Sequence, residues 1–335
     1  MTDKDRSWIR SAVAHGSGLR DRANVSFRRE HRILRAVHDV DESVSILKAD
    51  GTLLVRFEYG GDIHFPYWAP VCTPSGAQIS ILSPHDHIWH RGLWLVWKYV
   101  NGINFWEGPF SDDPRHGAQL VQGIDDIRVG EHSVAVSLRV AWTADDGSIP
   151  LTERRRFVLT CASADASWYT IDVSSEFTAN GQDALVSSVD IRKFDWGGYG
   201  GIGFRSSRDI CGFPDRLIVS TNGAVSHEVH GTRGDWAAYC GLRDGAFSRT
   251  WAGFALIDHR DNPVHPVPFH ASAETICYVG TAPVRYESFT IPRGTPCMFR
   301  NRFVCFDGET DEALIQRLFE EFTQEEIQWN VLKSP

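Results

Sequence analysis

Along most of this chain apolar and polar residues alternate with a period of two. "HSVAVSLRVAW" (132–142) places Val134, Val136, Leu138 and Val140 on one face. "LTERRRFVLTC" (151–161) and "WYTIDVSSEFT" (168–178) repeat the alternation, and "WAGFALID" (251–258) and "CMFRNRFVCFDG" (297–308) read as later strands. Successive side chains of a strand point to opposite faces, so this period predicts half-buried β-structure. "SVSILKADGTLLVRFEY" (43–59) is two apolar runs around Asp50-Gly51, a hairpin signal because glycine supplies the positive φ of a tight turn. Asn101-Gly102, Asp145-Asp146-Gly147, Asn180-Gly181, Asn222-Gly223 and Asp307-Gly308 punctuate the remainder.

Two segments read as helical. One lies near residues 6–36, weakly periodic and interrupted by Gly16 and Gly18. The other is "DEALIQRLFEEFTQEEI" (311–327), where Leu314, Leu318 and Phe322 share a face and Asp311 and Glu312 sit near the positive end of the helix dipole. Strand runs without intervening helices predict stacked antiparallel sheets. The expected architecture is therefore all-β: a large antiparallel β-sandwich over residues 41–309, an N-terminal extension over 1–40, and a C-terminal helix within 310–335 packed on the sandwich.

Composition narrows the classes. The 335 residues are 42% hydrophobic and 23% charged, enough for a large core, and the formal net charge is −9. That sign repels phosphate backbones, and the run Arg154, Arg155, Arg156 is too short to offset it, so nucleic acid is not an expected partner. No apolar run is long enough for a membrane helix, and "MTDKDRSWIR" lacks the apolar centre of a secretory signal, so a cytoplasmic chain is expected. The seven cysteines are scattered, with no C-x-x-C pair, and read as reduced thiols. Twelve tryptophans are an unusual number; their flat apolar faces suit sugar rings as well as cores.

Candidate chemistry concentrates in "SPHDHIWHRGLWLVWKYVNGINFWEG" (83–108). On an extended backbone His85 and His87 would point the same way, matching the H-x-H spacing of metal sites, and His90 could complete three nitrogens. A divalent metal is thus one option for the cluster, with no cofactor demanded by any motif. Acid–base chemistry is the other: His87 or His90 could move a proton near neutral pH, Arg91 could face an oxygen developing negative charge, and Asp86 could orient an imidazole. Trp94 and Trp97 fall on opposite faces of a buried run, so at most one lines a cavity; Trp97, Asn101, Trp106 and Glu107 join His85 as candidate substrate contacts. A purely structural role for the imidazoles at a strand entrance is the competing reading.

"DHRDNPVHP" (258–266) is a second polar constellation: Asp258 ends an apolar strand, and His259, Asn262 and His265 lie in a proline-punctuated loop. Asp258 and His259 are placed as catalytic candidates opposite the histidine cluster, with Asn262, His265, His227 and Trp236 as binding candidates; a capped turn is the alternative. "YGGIGF" has no strand-then-helix context for a dinucleotide loop, and no Gly-x-Ser-x-Gly elbow is present.

"DHIWHRGLWLVW" followed by "VNGINFW" resembles the signature of the PmoA-like family, whose label is "methane oxygenase PmoA". "YGGIGFRSS" (199–207), "STNGAVSHEVHGTRGDWAAYCG" (220–241), "GFALIDHRDNPVHPVPFH" (253–270) and "FRNRFVCFDGE" (299–309) resemble later segments of it in order. Two departures stand out: Trp89 occupies the first of two positions where the family often has paired histidines, and the stretch after Asn262 differs. The resemblance implies a galactose-mutarotase-like supersandwich and a place in carbohydrate metabolism. The expectation is a carbohydrate-active enzyme of epimerase, lyase or glycoside hydrolase type with a small-molecule sugar as partner. A non-catalytic sugar-binding sandwich and a metal-dependent oxygenase are the alternatives, and self-association stays open.

Overall fold

A computed structural model describes residues 32–211, 216–245, 248–272 and 276–325. All of the described structure belongs to one compact unit, Arg32–Pro335. Among the described residues, two large antiparallel sheets dominate. The first has nine strands, in the order Leu34–Asp39, Ser43–Lys48, Leu53–Glu58, Tyr67–Val71, Leu93–Val96, Gly201–Arg205, Tyr278–Thr281, Val267–Ser272 and Arg233–Gly234. The second has eight, from Arg216–Ser220 through Trp236–Leu242, Trp251–Asp258, Cys297–Asp307, Trp168–Ala179, Leu151–Thr160 and Ser133–Ala144 to Gly117–Val129. A small four-stranded sheet contains the hairpin Tyr99–Val100 and Ile103–Asn104, turned at Asn101-Gly102 with positive φ at both residues.

The expected all-β sandwich is what forms. Alternation drives it: each large sheet presents one apolar face to the other. Phe204 of the first sheet meets Phe254 and Phe303 of the second at ring-centroid distances of 4.4 and 4.9 Å. Trp68 meets Phe157 at 5.3 Å, and the buried Tyr169 hydroxyl donates to the Leu54 and Cys72 carbonyls, tying the layers with polar bonds. The hairpin expected around Asp50-Gly51 is present as Ser43–Lys48 and Leu53–Glu58.

The C-terminal helix runs Glu312–Gln324, and its first turn is capped by the Asp311 side chain accepting from Leu314 N at 3.0 Å. Ile315, Leu318, Phe319 and Phe322 are buried against the outer face of the eight-stranded sheet. No helix among the described residues is long and apolar enough to cross a membrane.

Two expectations change. The N-terminal helical segment falls largely on residues 1–31, outside the described residues; its last residues, with the end of the expected extension, form the strand Leu34–Asp39, paired throughout with Ser43–Lys48. Residues 34–36 alternate as well as they fit a helix, and cross-strand pairing decides between the two. Of the cysteines expected as free thiols, Cys211 and Cys277 are joined in a disulfide, while Cys72, Cys161, Cys240, Cys297 and Cys305 are free.

Candidate active site

The outer face of the nine-stranded sheet carries the candidate chemistry. Register places Tyr67, Trp94, Gly203, Gly280 and His270 directly opposite one another across five neighbouring strands. Arg205, Tyr278 and Ser272 form the next row. The two glycines make a depression that the Tyr278 phenol fills; a Cβ on either would collide with its hydroxyl. Trp94, Tyr278 and His270 thereby form a floor, with Tyr278 ring centroids 5.7 Å from each of the other two.

Above this floor sits the loop of residues 83–91. His87 N donates to Pro84 O at 3.0 Å and His90 N to His87 O at 2.9 Å, so the segment is two consecutive turns. Residues three apart are brought together: the His87 and His90 rings stack at 4.6 Å with planes 19° apart. His90 in turn stacks on Tyr278 at 5.5 Å. The expected extended backbone is absent, so His85 and His87 do not share a face. His85 is exposed and does not line the cavity. Among the described residues no three His, Cys, Asp or Glu side chains are placed to hold a metal, which corrects the His85, His87 and His90 ligand set.

The bonds around the stacked pair fix its protons. Arg205 donates through Nη2 to Asp86 Oδ2 at 2.6 Å and through Nη1 to His90 Nδ1 at 3.1 Å. Burial alone would raise the Asp86 carboxyl, but hydrogen bonds from Arg205 and His87 outweigh it and hold the group well below the usual carboxylate range. An ionised Asp86 can only accept, so the 3.1 Å contact with His87 puts a proton on His87 Nδ1 and, in the neutral ring, leaves a lone pair at Nε2. Arginine can only donate, so His90 Nδ1 is unprotonated and the neutral ring carries its proton at Nε2. Burial, followed by the charges of His87 and Arg205, pushes the His90 pKa well below its ordinary value, so this ring is neutral. The stacked imidazoles are thus complementary: one offers a base, the other an acid.

Both line a cavity of about 430 Å³ whose walls also include Trp89, Trp106, Glu107, Trp196, Tyr199, His270, Ser272, Ile276 and Tyr278. Its size and mixture of rings and few polar groups are those of a small-molecule site. Glu107 forms a buried ion pair with Lys98 and accepts from the Tyr199 hydroxyl at 3.0 Å. Burial and the neighbouring Glu107 push the Tyr199 phenol well up, so it stays a donor. His270 is neutral: burial, then His230 and Arg285, pull it down to about 3. Its Nδ1 is buried and has no hydrogen-bond partner among the described residues.

His87, His90, Trp106 and Glu107 therefore line one cavity, and the other sequence candidates do not line it. The Arg91 guanidinium lies over the Tyr67 ring, 5.2 Å from its centroid. Trp97 is core, packed on Phe299 at 4.9 Å and Phe177 at 5.7 Å; Trp94 is the member of the pair on the site's side. Asn101 is a turn residue whose side chain accepts from Leu185 N at 2.8 Å, and His227 is exposed on a short 3-10 turn.

Asp258, His259, Asn262 and His265 form a separate network beneath the C-terminal helix. Asp258 accepts from Asn262 at 2.6 Å, His265 at 2.9 Å and Asn301 at 3.1 Å. His265 is also 3.2 Å from Asp235, and His259 takes a hydrogen bond from Arg300 at 2.6 Å. Burial raises the Asp258 carboxyl, while the bond to Asp258 raises His265, the signature of a paired group in a dry site. Trp236 donates to Gln316 of the helix at 3.0 Å. These residues lock the helix to its sheet, and their expected placement opposite the histidine cluster is corrected accordingly.

Sequence reasoning missed Arg205, Tyr199, Trp196, His270 and Tyr278 as site residues. Arg205 lies in the glycine-rich run 199–207, where glycines among strand-forming residues are the one signal of close approach to other groups.

Residues 45–320 match the Family of unknown function (DUF6807), and the chain belongs to that family. No curated protein matches it. A solved structure described as "Crystal Structure Analysis of HI1317" is similar over 82% of this chain and 99% of that one, at 11% identity and a TM-score of 0.26, too low to carry an argument.

Proposed function

We propose that the chain is a carbohydrate-active enzyme of lyase type, in which His87 and His90 move protons on a sugar that bears a carbonyl group. The supporting observation is the stacked pair with opposite tautomers in an aromatic-walled cavity. His87 Nε2 takes the proton from the carbon beside the carbonyl. The released electron pair forms a carbon–carbon double bond as the next carbon loses its oxygen substituent. His90 Nε2 supplies a proton to the departing oxygen, leaving an imidazolate whose Nδ1 faces the Arg205 guanidinium. The products are an unsaturated carbonyl sugar and an alcohol, and exchange with water resets both rings. Asp86 and Arg205 are positioning residues that hold the two tautomers.

Elimination is favoured over epimerisation because the two rings lie on one side of the cavity, whereas inversion at carbon needs groups on opposite faces. Trp106, Tyr199 and Trp196 offer the flat faces a sugar ring stacks on. The resemblance to PmoA-like proteins supports the same substrate class. The metal-dependent oxygenase reading loses its expected ligand set, since His85 turns away.

The test is incubation with keto-sugar glycosides, following the absorbance of the conjugated product. His87→Gln and His90→Gln should each lower turnover roughly 100- to 10,000-fold while the melting temperature stays near wild type. Saturable binding of these glycosides without product would make the chain a binding module. Product formation undiminished in both variants would remove the histidines from the chemistry.

A further inference from the structure

The aromatic wall of the cavity does not stop at its mouth. Trp106 packs on Tyr199 at 5.0 Å between centroids, Tyr199 on Trp196 at 6.2 Å, and Trp196 on Phe194 at 4.9 Å. The last two steps are close to parallel, with planes 27° and 30° apart. Burial falls along this ladder: Trp106 is 3% exposed, Trp196 49% and Phe194 48%. Large aromatics gain more from burial than any other side chains, so a loop free to collapse would cover them.

The loop is not free. Gly198 N donates to Val189 O at 2.9 Å, Gly197 N to Phe194 O at 2.8 Å, and Phe194 N to Asp190 O at 3.1 Å. Arg285 donates to Gly197 O at 2.8 Å and Asp195 O at 3.3 Å, and Gly198, at φ +81°, has no room for a Cβ against Arg285. The rings are held outward before any ligand arrives, which lowers the ordering cost of binding. Beside the ladder Arg192 is paired with Asp190, with contacts of 2.7–3.1 Å.

From this continuity we infer that Tyr199, Trp196 and Phe194 form a subsite for an uncharged ring joined through oxygen to the sugar in the cavity. This rests on the carbohydrate reading above and adds to it. The substrate is a glycoside with a ring-bearing aglycone, and the ladder holds the group that elimination releases. The ring can be aromatic or a second sugar, since both present a face to tryptophan.

The test is calorimetric binding of methyl keto-glycosides, phenyl keto-glycosides and keto-disaccharides derived from glucose, galactose and mannose to the full chain carrying His87→Gln, which should bind them without turnover. The subsite predicts at least about 10-fold tighter binding of one ring-bearing class than of its methyl counterpart. Phe194→Ala, outside the cavity wall, should reduce that advantage without changing methyl-glycoside affinity, and Trp196→Ala should erase it. The arm that keeps the advantage, phenyl or disaccharide, identifies the ring. Equal affinity for methyl and ring-bearing glycosides, unchanged by Trp196→Ala, would overturn the subsite and leave the sugar cavity standing. Failure of every glycoside to bind would overturn both. Self-association lost in Trp196→Ala would make the ladder a contact between copies and also overturn the subsite.

Discussion

His270 gives a prediction whose size follows from its surroundings. It lies in the floor of the cavity, neutral, with burial first and the charges of His230 and Arg285 next in holding it at about 3 against an ordinary value of 6.5. An unfolded chain releases the ring to water and restores the ordinary value. The unfolded state therefore binds more protons below that value, and stability rises with pH. The full stability attached to His270 is present above about pH 6.5 and is lost progressively as pH falls toward about 3. At about 1.4 kcal/mol per tenfold difference in proton affinity, the whole window amounts to about 5 kcal/mol, and the part between about pH 7.5 and about pH 5 to about 2 kcal/mol. His270→Gln lacks this dependence. His64 and His259, each drawn to about 4 mainly by burial, add losses of the same sign in both proteins and cancel in the comparison. Urea unfolding followed by tryptophan fluorescence at the two pH values measures the difference directly. Wild type should lose about 2 kcal/mol more than the variant over that range. Equal losses would mean that His270 is not a buried neutral imidazole, and the polar floor of the site would have to be redrawn.

Two further substitutions separate site from scaffold. Arg205→Met removes the bonds to Asp86 and His90 from a side chain that is almost wholly buried; it should cost about 3 kcal/mol in urea unfolding and suppress turnover through loss of both tautomers, and turnover at wild-type level would refute its positioning role. Asp258→Ala strands Asn262, Asn301 and His265 beneath the C-terminal helix; it should also cost about 3 kcal/mol, yet leave kcat of the folded protein unchanged, and a kcat loss comparable to His87→Gln would return Asp258 to the chemistry.

Periodicity carried strands such as Ser133–Ala144 and Leu151–Thr160, which have a wet and a dry face, while Leu93–Val96 and Trp251–Asp258 are buried almost throughout and were legible as apolar runs; the Asp50-Gly51 and Asn101-Gly102 turns were legible because φ is positive where glycine or asparagine stands. The histidine cluster was visible as a cluster, but its geometry was not. A parity argument needs an extended backbone, and after Pro84 the chain makes two turns instead, pairing His87 with His90 and excluding His85. Asp258 misled because a carboxylate at a strand end looks the same in sequence whether it faces a cavity or caps a buried loop. Arg205, His270 and Tyr278 were hidden for a different reason: only the cross-strand register of residues far apart in the chain places them beside His90.

The central claim is that Asp86 and Arg205 set opposite tautomers in two stacked imidazoles. Long-range proton–nitrogen NMR of histidine-labelled protein at about pH 8, with His87→Gln and His90→Gln for assignment, reads those tautomers directly. The account predicts the Nδ1–H form for His87 and the Nε2–H form for His90. The same tautomer at both positions, or a protonated His90, would contradict it.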